Sequence, residues 1–346
     1  MMSSTQGPLA SAMLRSARKA HAAGVTLRMS ESAVGGSTAF GDVTAHNESL
    51  IEHLSEALAL GRPALFQHHV GWLRSAFGGR DVPLDALLAS LTCLRDELNE
   101  RLPPQAARIA VEYVDAAIAH AKTAPDAWPS QLGSDAPHAR LAANYLLCCL
   151  EGRRDDAIEL VTRALADGMS VADVFQHVLG PAQVELGVLW QRDEIHIAEE
   201  HMVSRTTEQV IAILATRAAR APRNGRRVLV TSASGDLHDL GPRMIATVFE
   251  LAGFETIFLG ASTPAEDVAK AVEDLDVHLI ALSAKLDLHV RAAKDVVSAV
   301  RARRSVPVIV GGTPFTLVPD LWKVVGADAT ARTPAEAVEI GLRLTA

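Results

Sequence analysis

Asp236-Leu237-His238-Asp239-Leu240-Gly241 is the stretch whose reading decides the fold. It follows a run with the composition of a buried strand, Arg226-Arg227-Val228-Leu229-Val230-Thr231-Ser232. It precedes an apolar-periodic stretch, Met244 to Leu251, that predicts a helix. A loop between the first strand and first helix of an open α/β sheet lies at the carboxyl edge, where such sheets bind ligands. In that loop Asp236 stands two residues before His238. It can hold one imidazole nitrogen and leave the other free as a ligand atom, the carboxylate–histidine–metal arrangement. Gly241 lets the backbone turn closely past whatever occupies the site.

Working outward, residues 226–346 alternate strand and helix. Strands are predicted at Arg227 to Thr231, Glu255 to Leu259, Val277 to Leu282 and Val306 to Val310, with a short fifth near Ala327 to Ala331. Helices are predicted at Pro242 to Ala252, Pro264 to Leu275, Val290 to Arg303 and Pro334 to Leu344. Such alternation means a parallel sheet covered on both faces. Three loops then converge at its carboxyl edge: the Asp236 to Gly241 loop, Ser283 after the third strand, and Gly311-Gly312 after the fourth. Their small residues leave a slot in which a flat group can slide past backbone. Lys285, in the Ser283 loop, either reaches a polar group of such a ligand or is solvated.

The upstream half reads as helical. Residues 138–221 predict a four-helix bundle, with Ser170 as an N-cap and Gly180-Pro181 as a kink. Thr123 to Pro137, with its prolines, is the linker. Residues 46–122 predict a helical domain cornered by Gly61-Arg62-Pro63, Gly78-Gly79 and Pro103-Pro104. Residues 1–45 read as an N-terminal extension broken at Gly35-Gly36 and Gly41, with a short helix at Lys19 to Val25. The fold class is therefore α/β plus all-α: a Rossmann-like parallel-sheet domain preceded by a four-helix bundle and an N-terminal helical domain.

Composition excludes several classes. The net charge of −8 and the lack of a long basic run argue against direct nucleic-acid binding. Apolar runs are too interrupted for a membrane span, and no secretory signal is visible. Three cysteines in 346 residues make neither a disulfide framework nor a zinc site and point to the cytoplasm.

In this order, Asp236-x-His238-x-x-Gly241, Ser283 and Gly311-Gly312 resemble the cobalamin-binding signature of domains that hold the cofactor with its dimethylbenzimidazole tail displaced. The resemblance implies that His238 is the lower axial ligand of cobalt and that Ser283, Gly311 and Gly312 line the channel for the nucleotide tail. A second pattern is Trp190, nine residues, then Glu200-His201. Taken locally, it is a core Trp beside a surface charge cluster. Next to the first pattern it resembles the adenosyl-capping motif of CarH-type cobalamin-dependent photoreceptors. That implies Trp190, Glu200 and His201 around the upper group of adenosylcobalamin. Two departures stand out: the DNA-binding N-terminal domain of those repressors is replaced by a non-basic helical one, and Gln191 occupies the position of their upper-ligand His. The whole-chain layout resembles photocobilins, which implies biliverdin as a second chromophore. Adjacent His68-His69, Trp72, Arg62 and Arg74 are candidates for its pocket.

The resulting expectation is a non-enzymatic cytoplasmic light sensor. Photolysis of its cobalt–carbon bond changes domain packing, a light-dependent homo-oligomer, or contact with a protein partner or effector such as a transcription factor. The alternative is a corrinoid methyl carrier of a methyltransferase system, using the same His238, Ser283 and Gly311-Gly312.

Overall fold

A computed structural model describes residues 6–31, 42–133 and 138–346. The chain divides into two compact units, Met1–Trp128 with Gln191–Glu194, and Pro129–Trp190 with Ile195–Ala346.

The first unit is helical: α1 (Gln6–Ser16), α2 (Arg18–Glu31), α3 (Val43–Leu60), α4 (Pro63–Gly79), α5 (Leu84–Arg101) and α6 (Pro104–Thr123). Its corners follow backbone chemistry. Asp42 caps α3 by accepting from the Ala45 amide, and Gly61 ends it in the left-handed region at φ 66°. Pro63 and Pro104 open α4 and α6, where a missing N–H costs nothing. Leu50, Ile51, Leu54, Leu58, Leu65, Phe66 and Leu87 are fully buried between the helices.

The stretch read as an extension holds two of these helices. Ala10, Leu14, Ala22 and Val25 are buried, and Ser11 and Ser55 share a buried hydrogen bond of 3.1 Å. Buried Glu97 on α5 contacts His21 and Arg28 of α2 at 3.3 and 3.2 Å. Small and polar residues make these contacts, so the apolar periodicity that betrays a helix is weak there. The breakers Gly35-Gly36 and Gly41, and Pro137 at the end of the linker, lie outside the described residues.

The second unit begins with a bundle: α7 (Ala139–Leu150), α8 (Arg154–Ala166), a third rod, and α11 (Ile197–Arg217). The third rod runs as α9 (Val171–Val174), a π-turn (Phe175–Leu179) and α10 (Gly180–Gln191). The kink expected at Gly180-Pro181 is thus a π-turn. Pro181 has no amide hydrogen to continue the ladder, and the Gly180 amide reaches back five residues to the Phe175 carbonyl. A buried polar knot ties three of the rods: the Tyr145 hydroxyl lies 2.8 Å from Thr207 Oγ1, which also accepts from Gln183 Nε2 at 2.8 Å.

The α/β part follows: β1 (Arg227–Ser232), α12 (Leu240–Leu251), β2 (Glu255–Gly260), α13 (Ala265–Asp274), β3 (Leu279–Ser283), α14 (Val290–Arg303), β4 (Val308–Gly311), α15 (Thr313–Leu317), α16 (Leu321–Val325), β5 (Ala329–Thr330) and α17 (Pro334–Leu344). All strand pairs are parallel, in the order β2-β1-β3-β4-β5. The expected fold class is what the structure has, with short α15 and α16 added. Met244 and Val248 of α12 belong to the same apolar cluster as Phe175, Leu179, Val203 and Leu214, so the bundle and the sheet domain share a core. Arg243 of α12 also pairs with Glu208 of α11 at 3.0 Å. Among the described residues no helix is long and apolar enough to cross a membrane.

Acid should loosen the first unit. Burial pushes the His46 imidazole down from 6.5 to about 4, beside Ser90 Oγ at 3.3 Å. A base with a lowered folded pKa binds its proton more readily when unfolded, so its stabilisation is present above pH 6.5 and lost as pH falls toward 4. Between pH 7 and 5 the urea midpoint, read by circular dichroism, should report a loss of about 1–2 kcal/mol that His46→Gln removes. A His46→Gln protein with unchanged acid sensitivity contradicts the assignment.

Candidate functional site

In a parallel sheet of this order the connection reverses between β1 and β3, and the loops leaving those two strands part to form a crevice at their carboxyl ends. The register brings small residues into one row there: Ser232 of β1 opposite Ser283 of β3, and Ser283 opposite Gly311 of β4. Beyond the row the backbones close up. Gly312 sits at φ 123°, and a Cβ on it would collide with the Ala284 carbonyl oxygen. Gly241 differs, because a Cβ there would meet nothing within 4 Å. It leaves open space at the start of α12 and is not needed for a close backbone approach.

Asp236 is the centre of the crevice and has 0% exposure. Its Oδ1 accepts from the His238 amide at 3.0 Å and from His238 Nδ1 at 2.8 Å. Its Oδ2 accepts from the Lys285 amide at 2.6 Å, and His289 Nδ1 lies 3.4 Å away. Burial pushes the carboxyl up, but the contacts from His238, His289 and the two amides outweigh it and hold the group well below the ordinary carboxylate range. An ionised Asp236 fixes the His238 tautomer with its proton on Nδ1, so the lone pair is on Nε2. The His238 side chain is 56% exposed and can present that nitrogen to a ligand.

The surrounding loops hold this pair in place. Ser232 Oγ donates to the His238 carbonyl at 3.1 Å. From the loop after β2, the Ser262 amide donates to the Asp236 carbonyl at 3.1 Å, and Ser262 Oγ accepts from the Gly235 amide at 3.0 Å. His289, Ser262, Ser232 and the Lys285 amide were not singled out as site residues in the sequence. Only His289, six residues beyond Ser283, carried a signal that chemistry could have flagged.

The second pattern lies at the junction of α10 and α11. Trp190 is 42% exposed. His201 Nδ1 lies 2.6 Å from Glu200 Oε2, and Glu200 Oε1 accepts from Ser204 Oγ at 2.6 Å. Among the described residues no hydrogen bond or ion pair joins Glu200 or His201 to Asp236 or His238. Gln191 is buried in the first unit, where its Nε2 donates to the Trp72 carbonyl at 2.7 Å. Of the candidate bilin contacts, His69 is buried with its ring stacked 3.4 Å from that of His53. Arg74 is committed to Asp126 at 2.7 Å and to the Ala121 carbonyl.

Residues 226–341 match the B12 binding domain family, and residues 141–215 match a second family of the same description. Residues 141–341 carry a cobalamin-binding module. A dimethylamine corrinoid protein of Methanosarcina acetivorans is 25% identical to the chain over 201 residues, 57% of this chain and 91% of its own length. A monomethylamine corrinoid protein of Methanosarcina barkeri is 28% identical over 198 residues, 54% of this chain and 88% of its own. The solved structure of a Methanosarcina barkeri monomethylamine corrinoid protein has the same fold, at TM-score 0.53 and 22% identity, covering 60% of this chain and all of that one.

These relatives correct the expected function. They are corrinoid proteins named for methylamines, and they overturn the reading as a light sensor. Light-dependent oligomers and biliverdin rested on that reading and find no support among them. The physical reason for the misreading is that the spacing from Trp190 to His201 fixes only where side chains leave two helices. The cobalamin module itself fits the residues present. A buried, charged Asp236 orients an exposed imidazole, and Gly312 gives a backbone cradle that a Cβ would fill.

Gly312→Ala should therefore weaken the crevice without touching its chemistry. Strain and collision with Ala284 predict a loss of about 1–3 kcal/mol and a Tm lower by roughly 3–8 °C. Calorimetry showing an unchanged Tm contradicts the close backbone approach.

Proposed function

We propose that the chain is a corrinoid protein that carries methyl groups between a methylated small molecule and an acceptor, serving a partner methyltransferase. The observation that carries this reading is the Asp236–His238 pair at the switch point of the sheet, in a module related to methylamine corrinoid proteins. Bound there, a corrinoid cobalt supplies a centre that can take up and give up a methyl group.

The chain's own residues do the rest. His238 Nε2 would hold the cobalt, and the 2.8 Å contact from its Nδ1 to Asp236 keeps the ring aimed. Asp236 is itself held by the Lys285 amide at 2.6 Å, with His289 Nδ1 3.4 Å away, so the ring it orients has a fixed support. Ser283, Gly311 and Gly312 would line the slot that takes the nucleotide tail, and Gly241 leaves open space nearby at the start of α12. Trp190, Glu200 and His201 would help to cover the bound corrinoid. Exposure of Trp190 suits a cap that must uncover the upper face when a methyltransferase docks. The chain is then a carrier and partner protein, and the methyltransferase holds the catalytic residues.

Loading the full chain with methylcobalamin tests this. With a corrinoid methyltransferase and a thiol acceptor, the methyl group should pass to the thiol; a methyl group that stays put with every methyltransferase of the methylamine class contradicts the carrier reading. His238→Ala should abolish the histidine-ligated absorption spectrum, and Asp236→Asn should weaken corrinoid retention roughly 10–100-fold. A normal histidine-ligated spectrum in His238→Ala overturns the ligand assignment.

A further inference from the structure

Lys285 is a cation in a place where the slot has no obvious need of one. It follows Ser283 by two residues, and its amide is spent on Asp236 Oδ2 at 2.6 Å. Its side chain turns to the other wall, where Nζ donates to Thr313 Oγ1 at 3.2 Å, directly after Gly311-Gly312. The ammonium therefore bridges the loops after β3 and β4, the two that frame the slot. Among the described residues it forms no ion pair with a carboxylate. The carboxylate whose charge acts on it, Asp236, already accepts from two amides and His238, with His289 Nδ1 3.4 Å off. Burial lowers the Lys285 pKa and the Asp236 charge opposes that change. A partly desolvated cation whose partner is a neutral hydroxyl gains most from an anion.

We propose that Lys285 is a specificity residue that binds the phosphodiester of the corrinoid's nucleotide tail, so that the chain selects corrinoids that carry a complete tail. This rests on the cobalamin reading given above. The phosphodiester is the one anionic group on the periphery of cobalamin, and the tail is the part that would enter the slot between Ser283 and Gly312. A corrin ring edged with neutral amides offers a lysine only carbonyl oxygens, which bind a cation less strongly than a phosphate does.

The test compares dissociation constants of the full chain for aquocobalamin and for diaquocobinamide, which lacks the phosphodiester, ribose and base, by quenching of tryptophan fluorescence. The original protein should prefer cobalamin. Lys285→Met should cut that preference roughly tenfold and leave cobinamide binding unchanged, whereas Lys285→Arg should largely keep it. If Lys285→Met does not fold, judged by circular dichroism, Lys285→Gln carries the comparison. A preference that survives the loss of charge, or equal weakening of both corrinoids, overturns the proposal. Failure of the original protein to bind either corrinoid instead removes the cobalamin reading, and this proposal with it.

Discussion

A fully buried carboxylate organises the carboxyl edge of the sheet. Moving an ionised Asp236 out of water is expensive, and it is tolerated only because donors surround it. Those donors come from different places: His238 from its own loop and the Lys285 amide from the loop after β3, where His289 Nδ1 also lies 3.4 Å from the carboxylate. Ser262, from the loop after β2, holds the backbone of the same residue. One charge therefore sets the relative positions of three loops. The His238 ring, 56% exposed, leaves its Nε2 outside this network.

The bundle is tied to that edge through α12. This helix starts directly after the His238 loop, and its Met244 and Val248 complete the apolar core of the bundle. Arg243, one residue before Met244, pairs with Glu208 of α11 and lies 4.8 Å over the Phe258 ring of β2. A shift of the bundle is thus felt by the helix that carries the open space at Gly241. The π-turn before Pro181 and the Tyr145–Thr207–Gln183 knot give the third rod a fixed bend, which sets the direction in which α10 delivers Trp190.

The α/β domain was legible because its strands are continuous runs such as Val228-Leu229-Val230 and Val308-Ile309-Val310, buried on both faces and separated by helices with a clear apolar stripe. The row of Ser283 and Gly311 was legible for the same reason, since parallel strands put like positions side by side. Hidden from the sequence were contacts that arise only when loops distant in the chain converge. Ser262 gave no local pattern and His289 offered only its imidazole, yet both lie against Asp236. Helices α1 and α2 were obscured by Ala, Ser and Thr faces with buried polar contacts. The Trp190 to His201 spacing was read from a resemblance to photoreceptors, whereas the relatives found are corrinoid proteins named for methylamines; Gln191, which donates to the Trp72 carbonyl, is where the chain itself departs from that resemblance.

Nitrogen identity at the lower face of the cobalt tests the central claim most directly. The full chain, grown with 15N-histidine, would be loaded with unlabelled cobalamin, reduced to the paramagnetic cobalt state and examined by electron paramagnetic resonance. A protein imidazole on the metal predicts that each line splits into a doublet from the single 15N nucleus. A triplet, the mark of the cofactor's own 14N benzimidazole still in place, would contradict it.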